Sequence, residues 1–197
     1  MSLPHLDRWL PHCAIRTHHR RAAAADADEL WRAALGVRVS DTRALGRLVR
    51  WRIPGTAAGQ SFEKLFRANP FTVLEEDTHL LVSGLCGRIW APSRDYPTLE
   101  GADAFRDWRE GGTVRVLLAH WTEPCPDNRT ELVSEARVQP VDRAAALRLR
   151  MLWKAVGPFE RLVGAEALTA AVRRAEANRP REPAPRAQGR PAARLRR

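Results

Sequence analysis

Four side chains in this sequence have the type and spacing to do polar chemistry: Arg88, His120, Glu135 and Arg137. Glu135 and Arg137 stand two apart in residues 130–139, a run that alternates as a strand does, so they share one sheet face. From an antiparallel neighbour, Arg88 could reach that face. The set has two readings. One is a cross-strand ion pair, on the solvent side or sealing a barrel end, worth about 0.2–1 kcal/mol. Charge pairs on strands are usually of this structural kind. The other is a carboxylate held ionised by arginine inside a cavity, able to orient a ligand's polar group or act as a base. His120 follows Val114, Val116 and Leu118 at period two. If that apolar face lines a cavity, His120 is the best single acid/base candidate, because imidazole titrates near neutrality. The commoner alternative is a strand-end histidine bonded to backbone or water.

The other reactive residue types narrow the field. His18 and His19 are strand neighbours pointing to opposite faces, and with His12 they make no metal set. His79, at a strand start, is expected to face solvent. There is no GxSxG elbow, phosphate-cradling glycine loop or HExxH, so neither a cofactor nor a metal is implied. Cys13, Cys86 and Cys125 are widely spaced with no CxxC pair, which argues against a disulfide framework and suits a reduced cytoplasm. Cys86 reads as a small buried hydrophobe. Trp90, Trp108, Trp121, Trp153, Phe66, Phe105 and Phe159 could line a pocket, although such residues more often fill a core.

These residues need elements to hold them. Residues 13–21 alternate as a first strand. Asp26 with Glu29 resembles a capping box opening a helix over 27–35, closed by Gly36. Ser40 should cap a second helix, ending before Pro54, and Ser61 a third, stopped at Asn69-Pro70. Period-two patterns then predict strands over 71–76, 79–90, 113–122 and 130–139, the last two joined by a hairpin loop over 123–128. Gly84 and Gly87 inside a strand suggest a bulge or bend. The closing element is a long amphipathic helix from an Asp142 N-cap to about residue 175. Leu152, Val156, Phe159, Val163, Ala167 and Ala171 form its apolar ridge, and Gly157-Pro158 should kink it. A long helix of this kind needs something broad to lie on. The fold expected is α+β: a curved antiparallel sheet wrapped around a C-terminal helix.

At 197 residues the chain fits one domain over 12–176, an irregular arm over 1–11 and an Arg/Pro/Ala-rich tail over 177–197 expected to be disordered. The net charge of +10 belongs largely to that tail, where seven Arg and one Glu over residues 179–197 contribute +6. The tail could make weak, salt-sensitive contact with nucleic acid. It has no aromatic for base stacking, and with only two lysines in the chain, Lys64 and Lys154, an Arg-rich solvated extension is the simpler reading. The N-terminus lacks the apolar core of a signal peptide, and no stretch reaches the length of a membrane span.

Three strings, in this order, resemble the SRPBCC superfamily (START, polyketide cyclase and related ligand-binding proteins). Gly84-Leu85-Cys86-Gly87-Arg88-Ile89-Trp90 resembles a "G-x-x-G-R-x-W" strand of bacterial members. Ser134-Glu135-Ala136-Arg137-Val138 resembles their "T-E-T-R-V" strand, with Ser and Ala in place of both threonines. Leu152-Trp153-Lys154-Ala155-Val156-Gly157-Pro158-Phe159 is similar to their "Y-W-x-x-I-x-P-x-S" helix, with Leu152 in place of the first aromatic. The resemblance covers residues 12–176 and implies a helix-grip fold with a deep apolar cavity between sheet and terminal helix. On that basis Arg88, Trp90, His120, Glu135, Arg137, Leu152, Val156 and Phe159 are the expected ligand-binding residues for a small hydrophobic molecule, lipid or polyketide-like. The alternative is an enzyme of the polyketide cyclase/aromatase type, with His120 or Glu135 moving protons. The fold alone chooses neither, and a homodimer is compatible with both.

Overall fold

A computed structural model describes residues 4–53, 55–93 and 96–178, excepting the side chains of 159–163. The strands β1 (Ile15–Ala23), β2 (Thr72–Asp77), β3 (Leu80–Gly87), β4 (Val114–Cys125) and β5 (Arg129–Pro140) form one antiparallel sheet in the order β1-β5-β4-β3-β2. The helices are α1 (Ala27–Leu35), α2 (Ala44–Arg52), α3 (Phe62–Phe66), α4 (Gly101–Arg106) and α5 (Arg143–Ala177). The open sheet curves around α5, which packs against β1, β5, α1 and α2, and this is the helix-grip arrangement.

Local chemistry accounts for most boundaries. The Asp26 carboxylate accepts from Glu29 N at 2.7 Å, the Ser61 hydroxyl from Lys64 N at 3.3 Å, and the Asp142 carboxylate from Ala145 N at 2.7 Å. Each satisfies an amide that the helix itself leaves free. Asp142 also accepts from Gly112 N at 2.6 Å, and these amides hold its carboxyl below the usual range. Asp127 and Asn128, both at positive φ, turn the β4–β5 hairpin, a conformation that their short polar side chains tolerate. α5 continues through Pro158 as one helix.

Three elements differ from the expectation. Ser40 sits in a 3-10 turn over Val39–Asp41, and α2 starts later, with no cap from its own neighbouring side chains. The Glu166 carboxylate of α5 replaces that cap, accepting from Ala44 N at 3.2 Å and Leu45 N at 3.0 Å. β3 ends at Gly87, whose φ of +139° suits glycine alone, so Arg88 and Trp90 leave the sheet. The β2–β3 register shifts between Val73 and Glu75, beside the Thr72–Gly84 pair, so the irregularity lies on β2. Gly84 itself stays in the ladder opposite Leu117, where a Cβ would fall 2.6 Å from the Phe105 ring of α4.

Both sheet faces are covered. On the inner face Trp31, Val37, Phe62, Leu81, Leu132 and Leu168 belong to one core. On the outer face Leu117, Ala119, Trp121 and Val133 pack with Phe105 and with Leu6, Trp9 and Leu10 of the N-terminal arm. The described part of the arm holds a 3-10 turn over Leu6–Arg8 and buries three apolar side chains, Leu6, Trp9 and Leu10, against the sheet. The basic tail lies, from residue 179 onward, outside the described residues.

Candidate ligand-binding site

Between the inner sheet face and the helices lies a cavity of about 510 Å³, within the range of small-molecule sites. Its floor is made by alternate strand residues: Thr17 and His19 of β1, Ser134 and Ala136 of β5, and Leu118 and His120 of β4. The walls come from α1, α2 and α3, including Trp31, Leu45, Val49 and Phe66. α5 supplies Trp153, Val156, Ala167 and Leu168. Leu48 and Val156 line the cavity yet are 41 % and 38 % exposed, so it opens between α2 and the middle of α5. Gly164 brings α5 close to the floor, since a Cβ there would lie within 3 Å of the His19 ring.

The polar groups are few. Ladder register places His19 opposite Ser134, Ser134 opposite His120, and His120 opposite Leu81, so three polar side chains form a row across the floor. His120 stacks on Phe66 with ring centroids 4.9 Å apart. Burial lowers its pKa to about 4, so the ring is neutral at physiological pH. Part of its surface stays accessible, but that surface faces the cavity and not bulk water. His120 Nε2 is buried with no partner among the described residues, as are Ser83 Oγ and Thr122 Oγ1; of the three residues only His120 lines the cavity. Among the described residues Glu63 is the one carboxylate in the lining, and no lysine or arginine joins it. No group of three His, Cys, Asp or Glu among the described residues could hold a metal ion.

The expected site residues therefore divide. His120 and Val156 line the cavity. Glu135 and Arg137 do not, because their odd-numbered positions on β5 put them on the outer face. There Arg137 Nε donates to Glu135 Oε1 at 2.6 Å, Arg16 donates to Glu135 Oε2 at 2.9 Å, and Arg137 Nη1 binds Asp7 and the Leu10 carbonyl. Burial alone would raise the Glu135 pKa, but the bonds from Arg16 and Arg137 outweigh it and hold the carboxylate low. The network ties the arm to the sheet. Arg88 makes an exposed ion pair with Glu110 at 3.6 Å, remote from Glu135. Trp90 packs on Val114, Val138 and Leu149, and neither it nor Leu152 is among the lining residues. The side chain of Phe159 is outside the described residues. Thr17, His19 and Ser134 were missed, although period two from His120 and antiparallel register would have found Ser134. Cys86 is buried on the outer face with its pKa pushed up to about 12, and the other cysteines are free as well.

No family model matches the chain, and no curated protein does. It is similar in structure to the hypothetical protein jhp0584 from Helicobacter pylori, at 11% identity over 88% of this chain and 94% of that one, with a TM-score of 0.41. TTHA0849 from Thermus thermophilus follows at 11% identity over 83% and 98%, with a TM-score of 0.34. Ara h 8.0201 is similar at 10% identity over 83% and 99%, with a TM-score of 0.27. No helix among the described residues is long and apolar enough to cross a membrane.

Proposed function

We propose that the protein binds a small hydrophobic molecule, of lipid or polyketide-like character, in the cavity between its sheet and α5, as an SRPBCC-type carrier or sensor in the cytoplasm. The observation that carries this reading is the cavity itself: about 510 Å³, walled by aliphatic and aromatic side chains, and open between Leu48 and Val156. Apolar surface left facing water costs about 25 cal/mol per Å², so an apolar guest that covers these walls is favoured. A cyclase-type enzyme is the weaker reading. Glu135 faces away from the cavity, and His120, with its pKa lowered to about 4, is a poor proton acceptor near neutrality.

Titration with Nile red, a neutral apolar fluorophore, tests the proposal. Saturable one-to-one binding is expected, abolished by Ala136→Trp, which fills the floor, and weakened by Val156→Trp at the mouth. Binding that does not saturate, or that both variants leave intact while still folded, would contradict it.

A further inference from the structure

The row His19–Ser134–His120 crosses a floor whose other described polar side chain is Thr17, opposite Ala136. Ser134 and His120 are directly opposed on neighbouring strands, which sets their Cβ atoms about 5 Å apart. Two hydrogen-bonding groups at that separation can converge on a single oxygen. A histidine buried for structural reasons normally has both ring nitrogens bonded, because an unmet polar atom in an apolar setting forfeits its hydration with nothing in return. His120 Nε2 has no protein partner among the described residues, so the fold alone does not account for a polar residue at this point of the floor. A leucine or phenylalanine would serve packing against Phe66 and Leu81 better.

The charges around the row restrict what it can hold. With no lysine or arginine in the described lining, an ionised carboxylate carried to the floor would be desolvated without a counter-charge. A cation would be no better placed, because Glu63, the one carboxylate among the described lining residues, is on α3 and is engaged by Arg67 at 3.4 Å. A neutral imidazole and a hydroxyl can each donate or accept, so they suit a hydroxyl or a carbonyl oxygen equally well.

We infer that the cavity selects a neutral, mainly apolar molecule carrying one hydroxyl or carbonyl group, an alcohol, phenol or ketone, whose oxygen is held between Ser134 and His120. This rests on the cavity reading above and adds the chemical class of its occupant. Among the described residues no lysine or arginine of the lining meets a fatty-acid or other carboxylate at the floor.

Competition against Nile red with three compounds on one skeleton, naphthalene, 2-naphthol and 2-naphthoate, separates the two levels. In the wild-type protein 2-naphthol should compete about tenfold better than naphthalene, the factor expected of about one net hydrogen bond, and 2-naphthoate should be the weakest. Ser134→Ala, which removes one oxygen from a partly accessible strand position, should bring the naphthol-to-naphthalene ratio down towards one, and His120→Phe should do the same. Equal affinity of naphthalene and naphthol in the wild type, or an undiminished ratio in Ser134→Ala, would overturn the inference and leave the cavity reading standing. Strongest binding of 2-naphthoate would also overturn it. If Nile red itself fails to bind, the cavity reading falls and this inference falls with it.

Discussion

Glu135 and Arg137 show how burial changes what an ion pair is worth. At 2% and 6% exposure they lie beneath the arm, where loss of one partner strands the other in a poorly solvated place. Arg137→Met should therefore destabilise the fold by about 3–5 kcal/mol in urea unfolding, far more than loss of the exposed Arg88–Glu110 pair. His120 makes a separate, pH-dependent contribution. The unfolded ring takes up a proton below about 6.5, whereas the folded site resists until about 4. The unfolded state binds more protons within that window, so stability present above pH 6.5 falls as pH drops towards 4, by up to about 3 kcal/mol. His120→Phe should flatten the urea-derived stability profile over that window. Glu135 acts lower down: its depressed folded pKa gives stability that is present above the ordinary carboxylate range and is lost as pH falls through the folded value.

α2 supplies Leu45, Leu48 and Val49 to the cavity, yet its first turn is held by Glu166 from α5. Two amides accepted by one carboxylate make a cap reinforced by the helix dipole. Glu166→Ala should cost about 1 kcal/mol, and hydrogen exchange should locate the loss in residues 44–49, beside the mouth. Uniform loss of protection across the sheet would show that the cap is unrelated to α2. Caps formed within a few residues, such as Asp26, Ser61 and Asp142, were legible in the sequence, because donor and acceptor are close in the chain. The Glu166 cap was not, since it spans 121 residues and more. The cavity-facing side of the sheet was illegible for a different reason. β4 is apolar at both parities, Val116 and Leu118 on one side and Leu117 and Ala119 on the other, because α4 and the arm cover the outer face as helices cover the inner. A sheet buried on both faces loses the alternation that would say which way Glu135 points.

At the scale of the molecule, the fold is a sheet with two filled sides, one of which retains a hollow. The order of elements, read from period and turns, was enough to anticipate a sheet gripping a final helix. The size and lining of the hollow depend on α1, α2 and α3, whose placement no local pattern encodes. The apolar side chains that reach solvent include Leu147 and Met151 on α5, 60% and 68% exposed, and neither lines the cavity. They offer an internal control, because a merely sticky protein would hold an apolar compound there. The direct measurement is an isotope-filtered nuclear Overhauser experiment on ¹³C-labelled protein with unlabelled naphthalene. Contacts from the ring protons to the methyl groups of Leu118, Leu132 and Leu168, inside the cavity, are the predicted result. Contacts confined to Leu147 and Met151 would contradict the central claim that this protein encloses its ligand.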